Sequence, residues 1–385
     1  MESKKFNYKA WIVCAGAYSA YTIGAGFSSG NEVMQFYGSW GVPYAFFAML
    51  LGCIINAYFC ASAYNVGKTV HFEKTRDIYA YWCGPRIAWV FDIFVFVFVL
   101  GIFATMFTGA GTMINQQLGL PQVVGAVIVG ILAIATVLGG WKVIVNLLGI
   151  CGNIIVIYIV IIGVVSLVGY GDADISQSST VVQFVEEGKI WQAGFFGISN
   201  WWFDAFMYAG VCFIVAVPFV VNLGKSANNS MDAVFSGVFS SVFFYIATFL
   251  VVFILLSHFG AVVNPETDEM YPIPNLAVIN HMFPAFGWTF AVVLIIEVYN
   301  TIVGYLWLLT DRIFGEKPKN KLYSNLFTVL ACLVGITLGA VLPFSQVVNI
   351  LWPVSGFVGC ALMVFMVVKD VRTKLSKNTK EMPAA

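Results

Sequence analysis

Long apolar runs separated by short polar loops occupy most of this 385-residue chain. A helix needs about 20 mainly apolar residues to cross the hydrocarbon core of a bilayer. Ten runs are suited to this: 8–37, 42–66, 88–116, 121–139, 144–169, 197–223, 231–257, 286–313, 322–342 and 346–368. The pattern therefore predicts an all-α integral membrane protein with ten transmembrane helices.

The composition agrees with this pattern. Hydrophobic residues make up 60% of the chain and charged residues 10%, and the mean hydropathy is +0.88. Soluble domains carry about 25% charged residues. The composition therefore excludes a soluble globular protein.

The basic residues are sorted to one side of the predicted membrane. With the amino terminus in the cytoplasm, 18 of the 19 Lys and Arg residues fall in cytoplasmic segments, and only Lys189 lies outside. Cytoplasmic loops of membrane proteins are enriched in Lys and Arg. We therefore expect both termini to be cytoplasmic.

The first run is interrupted by a glycine-rich stretch, residues 22–30, followed at once by Asn31 and Glu32. Glycine weakens a helix and lets ligands approach the backbone. In hydrocarbon, unpaired backbone groups are tolerated only where they line a cavity or are buried in protein. The interruption predicts a broken helix with a binding site at the break, which is typical of transporters.

Ten spans divide into two halves of opposite orientation, as in inverted-repeat transporters. The halves are 8–170 and 197–368, with an external loop at 171–196 and a cytoplasmic tail at 369–385. By symmetry we expect the sixth span to be discontinuous as well, near Gly210. Pro218 lies further along this span and removes one backbone hydrogen bond.

The run Ile23–Phe27 (IGAGF) resembles the first-helix break of the amino acid–polyamine–organocation (APC) superfamily, whose members share the LeuT-type 5+5 inverted-repeat fold. The longer stretch IGAGFSSGNEVMQFYGSWG is similar to YkvI-type bacterial membrane proteins. The resemblance implies a bacterial-type inner membrane and a substrate site between spans one, three, six and eight. It also implies that spans three, four, eight and nine form a scaffold against which spans one, two, six and seven rock.

In sodium-coupled relatives, one ion bridges carbonyls of the first break and hydroxyls of span eight. The matching positions are the carbonyls of Ala20 and Ile23, and Asn300 and Thr301, which follow Glu297 at i+3 and i+4. Asn300 departs from the usual Ser or Thr, although its side-chain carbonyl can coordinate a hard cation. Glu297 is also unusual and makes a proton the alternative to sodium.

Glu32 and Glu297 are the candidates for coupling among the acids of the predicted spans. An ionised carboxylate in the bilayer costs at least ~2.5 kcal/mol unless it is paired, hydrated or protonated. Either acid can serve in ion or proton coupling, and Glu32 can instead bind substrate or cap broken backbone. If the two lie close together, they share one proton and titrate as a pair.

The remaining polar candidates divide into substrate contacts and helix-end residues. Asp204 follows Trp201 and Trp202 and is interpreted as part of an interfacial aromatic belt rather than an amine site. Asp92 is interpreted as a gate residue or an ion-pair partner of Arg86. The predicted substrate contacts are Gly24, Ala25, Gly26, Phe27, Ser28, Thr105, Tyr208 and Gly210.

Amino ends of broken helices suit a carboxylate, and the embedded acids suit a cation. We therefore expect a small zwitterion such as an amino acid or betaine, with a cationic amine as the alternative. Sodium is favoured over a proton as coupling ion, and neither a cofactor nor a nucleic-acid partner is expected.

Other classes of membrane protein fit less well. A channel needs a repeated pore-lining segment or a selectivity filter, and a sensor needs a signalling domain, whereas about 17 residues follow Val368. An enzyme needs a catalytic constellation. The histidines, His71, His258 and His281, fall in predicted loops, and metalloprotease and Walker motifs are absent. We therefore expect a transporter and not an enzyme.

Overall fold

The chain folds into a helical bundle, seen in a computed structural model that describes residues 6–169, 172–193, 198–271, 273–284, 287–315, 320–339 and 344–381. Within these ranges, two short 3-10 helices (Gly38–Trp40 and Ile175–Gln177) and a two-stranded antiparallel hairpin accompany the α-helices. The elements are α1 (Tyr8–Thr22), α2 (Ala25–Ser29), α3 (Asn31–Phe36), α4 (Tyr44–Thr69), α5 (Thr75–Leu118), α6 (Gln122–Leu138), α7 (Trp141–Leu167), α8 (Ser178–Glu186), α9 (Trp201–Gly224), α10 (Ser230–Ser257), α11 (Phe259–Val262), β1 (Val263–Asn264), β2 (Glu269–Met270), α12 (Pro274–Met282), α13 (Gly287–Phe314), α14 (Lys321–Gly339) and α15 (Phe344–Glu381).

The helices match the predicted spans closely. Within the described ranges, eight helices are long and apolar enough to cross a membrane, namely α4, α5, α7, α9, α10, α13, α14 and α15, and α6 is a shorter apolar helix. Helices α1 to α3 occupy the first predicted run. A multi-pass membrane protein is therefore confirmed, whereas the count of ten and the inverted repeat stay predictions.

The outer surface of α7 shows why a bilayer is needed. Ile150, Ile154, Ile157 and Ile161 recur at helical spacing and are 49–62% exposed. Exposure of such a continuous apolar stripe to water is unfavourable. Contact with lipid tails avoids this exposure.

Charged residues lie at opposite ends of the bundle. At one end, the basic end, the ammonium of Lys369 sits 5.2 Å from the ring centroid of Tyr81. At the other, the acidic end, the ammonium of Lys189 lies 2.6 Å from Glu187 and 2.5 Å from Asp268. Hydrogen bonds to these two carboxylates raise the pKa of Lys189.

The start of α1 is fixed at the basic end by one carboxylate. Asp232, at the start of α10, accepts hydrogen bonds from the indole N–H of Trp11 (2.6 Å) and from the backbone N–H of Asn7 (3.2 Å). Its other oxygen accepts from the backbone N–H of Asn228 at 2.8 Å. This carboxylate ties the first and seventh spans together.

Small residues let the first span touch the fifth. A Cβ on Gly152 of α7 would overlap the carbonyl oxygen of Gly16, and one on Gly16 would overlap the carbonyl oxygen of Gly149. The amide of Asn153 also donates to the carbonyl of Ile12 at 3.3 Å. Such small-residue seams allow close backbone packing, which drives helix association in membranes.

The third span begins with a bend. α5 comprises two helical segments joined at Gly84, whose φ of 81° suits only glycine well, and Pro85 follows as the first residue of the second segment. The segment before Gly84 therefore runs in a different direction from the segment after it, which crosses the bundle.

The predicted break in the sixth span is wrong, because α9 runs without interruption from Trp201 to Gly224. Gly210 has a different role. A Cβ there would overlap the carbonyl oxygen of Gly356, and one on Gly359 would overlap the carbonyl oxygen of Gly210. Gly210 therefore serves close packing against α15.

Pro218 does not break α9, because tyrosines compensate for its missing N–H. The proline leaves the carbonyl of Ile214 without its helical donor. The hydroxyl of Tyr79 donates to this carbonyl at 3.2 Å, and the hydroxyl of Tyr21 donates to Val215 O at 3.3 Å. Hydroxyls from α5 and α1 thus satisfy the backbone beside the proline.

We predict that Gly152→Val destabilises the protein by about 1–3 kcal/mol, because overpacking forces α1 away from α7. The apparent melting temperature of the purified protein measures this. Ile154→Val, on the lipid-facing side of the same helix, is the control and should melt like the wild type. Equal melting temperatures for the two variants would contradict a tight α1–α7 seam.

Candidate functional site

The first span is broken where the sequence predicts it. α1 ends at Thr22, and Ile23 (φ −75°, ψ 109°) and Gly24 (φ −120°, ψ −172°) are extended. Helix α2 follows for one turn, and Gly30 (φ 93°) then turns the chain into α3. Because α1 ends here, carbonyls of its last turn lack an amide of their own helix.

Side chains from two distant elements satisfy the backbone of the break. The hydroxyl of Thr301 on α13 donates to the carbonyl of Ile23 at 2.8 Å. The amide of Asn275 on α12 donates to the carbonyls of Ser28 at 2.9 Å and Phe27 at 3.4 Å. Hydrogen bonds from α13 (the eighth span) and from α12 therefore stabilise the broken backbone.

Two of the four predicted sodium ligands meet directly, Ile23 and Thr301. Asn300 precedes Thr301, is fully buried, and has no hydrogen-bond partner on either side-chain polar atom among the described residues. Ala20 lies in the last turn of α1 and is fully buried. Groups of three or more His, Cys, Asp or Glu that could hold a metal ion are absent from the described part of the chain.

Glu32 folds back over the break. It is 3% exposed, and a Cβ on Gly26 would lie 2.6 Å from its Oε2. The hydroxyl of Tyr208 and the indole N–H of Trp352 lie beside this carboxylate. Neither donor has a hydrogen-bond partner elsewhere among the described residues. Spans one, six and ten therefore bring one carboxylate and two donors together.

Aromatic rings surround this centre. The ring of Tyr208 lies 5.1 Å from that of Phe36 and 5.0 Å from that of Tyr37. The ring of Trp352 lies 5.7 Å from Phe98 of α5. The carboxylate is therefore enclosed by apolar walls, in which electrostatic interactions are stronger than in water.

Glu297 does not join Glu32. It is 3% exposed, its Oε2 has no partner among the described residues, and it faces a cavity that Phe27 and Ser28 also line but Glu32 does not. The polar groups beside Glu32 are Tyr208 and Trp352 rather than Glu297. The structure therefore does not bring together the two acids that a shared proton would require.

The other predicted substrate contacts have varied surroundings. Gly24 lies against Thr301 and against Met106 of α5. The Thr105 hydroxyl donates to the carbonyl of Ile102 in its own helix at 2.8 Å. The ring of Phe27 packs on that of Phe244.

Three further candidates differ in what their surroundings offer. The hydroxyl of Ser28 is buried and has no partner in the described structure. Ala25 begins α2, but its side chain is outside the described part, and Gly210 packs on α15 away from the break.

The interpretation of Asp204 as part of an interfacial belt is wrong. Asp204 is fully buried and accepts a hydrogen bond from the indole N–H of Trp40 at 2.9 Å. This bond joins the start of the sixth span to the segment after α3. The sequence separation of these two residues hid the contact.

The expected partner of Asp92 is wrong as well. The Oδ2 of Asp92 lies 3.0 Å from the Nη2 of Arg312, not beside Arg86. The guanidinium of Arg312 also stacks 4.6 Å from the ring centroid of Phe96. This ion pair joins α5 to α13 within the predicted scaffold.

Trp352 was missed in the sequence, because the tenth span carries no acid or glycine break. Its only local signal is the polar indole N–H within an apolar run, next to Pro353.

No protein-family model matches the chain. It is 21% identical over 351 residues to an uncharacterized membrane protein, YkvI, of Bacillus subtilis (strain 168), covering 91% of this chain and 93% of the relative. One similar solved structure is a Na⁺-coupled sialic acid symporter in a substrate-bound outward-open state, with a TM-score of 0.68, 12% identity, and coverage of 94% of this chain and 78% of the symporter. Another is Mhp1, a nucleobase-cation-symport-1 family transporter, in a closed conformation with bromovinylhydantoin bound. Its TM-score is 0.58 at 12% identity, and 89% of this chain and 74% of Mhp1 are covered.

The chain has the LeuT-type fold. The resemblance to YkvI-type proteins noted from the first span is likewise confirmed. Both structural neighbours are transporters and not enzymes, in agreement with the transporter predicted from the sequence. One neighbour is a sialic acid symporter and the other belongs to a nucleobase-cation symport family, so this fold alone does not select a substrate.

We predict that Asn275→Ala destabilises the protein by about 1–3 kcal/mol, because two buried carbonyls of the break lose their donor. A lower apparent melting temperature would report this loss. Asn280→Ala, at an exposed position of the same helix, should leave the melting temperature unchanged. A variant at Asn275 that melts with the wild type would show that the carbonyls do not depend on this amide.

Proposed function

We propose that the protein is an ion-coupled secondary transporter, a symporter of a small zwitterion such as an amino acid or betaine. The observation that carries the proposal is the buried carboxylate of Glu32 beside the break in the first span. Next to it lie the donors of Tyr208 and Trp352, which have no other partner in the described part of the chain. The likeness to secondary transporters supports it.

The centre suits a molecule with both charges. The carboxylate of Glu32 pairs with an ammonium or a quaternary amine, and the surrounding rings add cation–π attraction. The hydroxyl of Tyr208 and the indole N–H of Trp352 donate to the substrate's carboxylate. A buried charge needs such partners, because an uncompensated ion in an apolar site is costly.

The coupling ion we propose is sodium, held between α1 and α13. Its ligands are the carbonyl oxygens of Ala20 and Ile23, the hydroxyl oxygen of Thr301 and the side-chain carbonyl of Asn300. Thr301 donates its hydroxyl proton to Ile23 O. A bound cation would replace this hydrogen bond with one contact to each of the two oxygens.

The topology we propose has ten transmembrane helices in two inverted five-helix repeats, residues 8–170 and 197–368. The basic end faces the cytoplasm of a bacterial-type cell, with both termini there, because cytoplasmic loops are rich in Lys and Arg. Spans one, two, six and seven rock against spans three, four, eight and nine. Substrate at the break then meets one side of the membrane at a time.

A proton-coupled transporter of a cationic amine is the second candidate. The observation that favours it is Glu297, a second buried carboxylate with an oxygen that has no partner in the described structure. In this mechanism a proton on a carboxylate replaces the sodium ion.

We predict that Glu32→Gln lowers substrate uptake about tenfold or more, the effect of losing one charge-assisted hydrogen bond. Uptake into proteoliposomes is measured for a panel of radiolabelled amino acids and glycine betaine under an inward sodium gradient. Glu186→Gln, on the exposed acidic end, is the control. Wild-type protein that accumulates no zwitterion, or full uptake by the Glu32 variant, would refute the proposed site.

We predict that Thr301→Val abolishes stabilisation by sodium, since valine keeps the shape but has no oxygen ligand. The measurement is the shift of apparent melting temperature between sodium chloride and choline chloride, a shift that follows from binding to the folded state. Thr337→Val, at an exposed position of α14, should retain the full shift. Equal shifts in both variants would place the cation elsewhere.

A further inference from the structure

A cavity lies beside the break and is separate from the centre at Glu32. It is small, with a volume of about 30 Å³. Helices α2, α7, α10, α12 and α13 surround it. The lining residues are Phe27, Ser28, Tyr158, Ile159, Ile162, Val251, Ile254, Asn275, Ile279, Phe290, Val293 and Glu297.

The polar groups of this cavity lack partners. Glu297 is 3% exposed, and its Oε2 makes no hydrogen bond among the described residues. Ser28 is equally buried, and its hydroxyl also has no partner there. A buried carboxylate oxygen without a donor is unfavourable. The cavity therefore calls for an occupant that brings N–H donors and positive charge.

The remaining lining offers few free oxygen atoms to a metal ion. Hard cations bind through oxygen ligands. The hydroxyl of Tyr158 is already 3.3 Å from Thr289 Oγ1, and the amide of Asn275 is engaged by the carbonyls of the break. Apolar groups such as Phe290 and Val293 make up most of the wall. They suit a hydrocarbon group attached to the cation.

We propose that this cavity binds a small primary alkylammonium ion. Its ammonium donates to Glu297 Oε2 and to the hydroxyl oxygen of Ser28. Its alkyl group lies against Phe290 and Val293. Tyr158, the half-exposed residue of an otherwise buried lining, marks the mouth. Ser28 belongs to the broken first span, which also carries Glu32. An ion bound in the cavity would therefore contact this span without contacting the carboxylate of Glu32.

Binding of methylammonium chloride, the alkylammonium whose size matches the cavity, to the purified full-length protein tests the proposal, with methanol as the neutral isostere. We expect the amine to raise the apparent melting temperature in a saturable manner, and the alcohol to have little effect. Glu297→Gln should weaken the amine's apparent affinity about tenfold or more, because the charged acceptor is lost while the side-chain shape is kept. Ser28→Ala should weaken it by a smaller factor.

Glu186→Gln, which removes an exposed carboxylate at the acidic end, is the matched control and should retain the amine effect in full. The proposal is overturned if the amine gives no shift in the wild type, if Glu297→Gln responds like the wild type, or if Glu32→Gln alone loses the response. It is also overturned if sodium chloride or the alcohol raises the melting temperature as much as the amine does and Glu297→Gln removes that rise. Because binding is measured without transport, a negative uptake experiment would leave this result untouched.

Discussion

The first span depends on one constraint, that peptide groups freed from a helix inside a membrane must find other partners. Ile23 O finds the hydroxyl of Thr301, and Ser28 O finds the amide of Asn275. These bonds come from elements more than two hundred residues away along the chain. The break is consequently a junction of three elements, and the orientation of Glu32 rests on all of them.

Close backbone packing supplies the frame in which this junction sits. Glycines bring α1 against α7 and α9 against α15, where any Cβ would overlap a carbonyl oxygen. Asp232 holds the start of α1 to α10 through Trp11, while Asp92 and Arg312 hold α5 to α13. Side-chain bonds within each predicted rigid group are therefore in place, and the Thr301–Ile23 bond crosses between the groups. A cation at that crossing would act where the two groups meet.

The first break could be predicted because its causes are local: glycines, polar residues and excess length stand together in one segment. The sixth span could not, because its backbone is governed by distant residues. Gly210 packs against Gly356 and Gly359 of α15. The carbonyl of Ile214, which lacks a helical donor because of Pro218, accepts a hydrogen bond from Tyr79. The same holds for Asp204 with Trp40 and for Asp92 with Arg312. Hydropathy locates spans well, since it depends on each segment alone, but side-chain pairing depends on which helices become neighbours.

The contact between Gly26 and Glu32 has a consequence for related sequences. The carboxylate of Glu32 takes the space that a side chain at position 26 would need. The two positions are thus a single steric and charge unit, and they should covary. A relative with alanine at the first position would need a shorter residue at the second, and would lose the acid's reach to Tyr208. Such a paired replacement would distinguish relatives with a different substrate more clearly than overall sequence identity does.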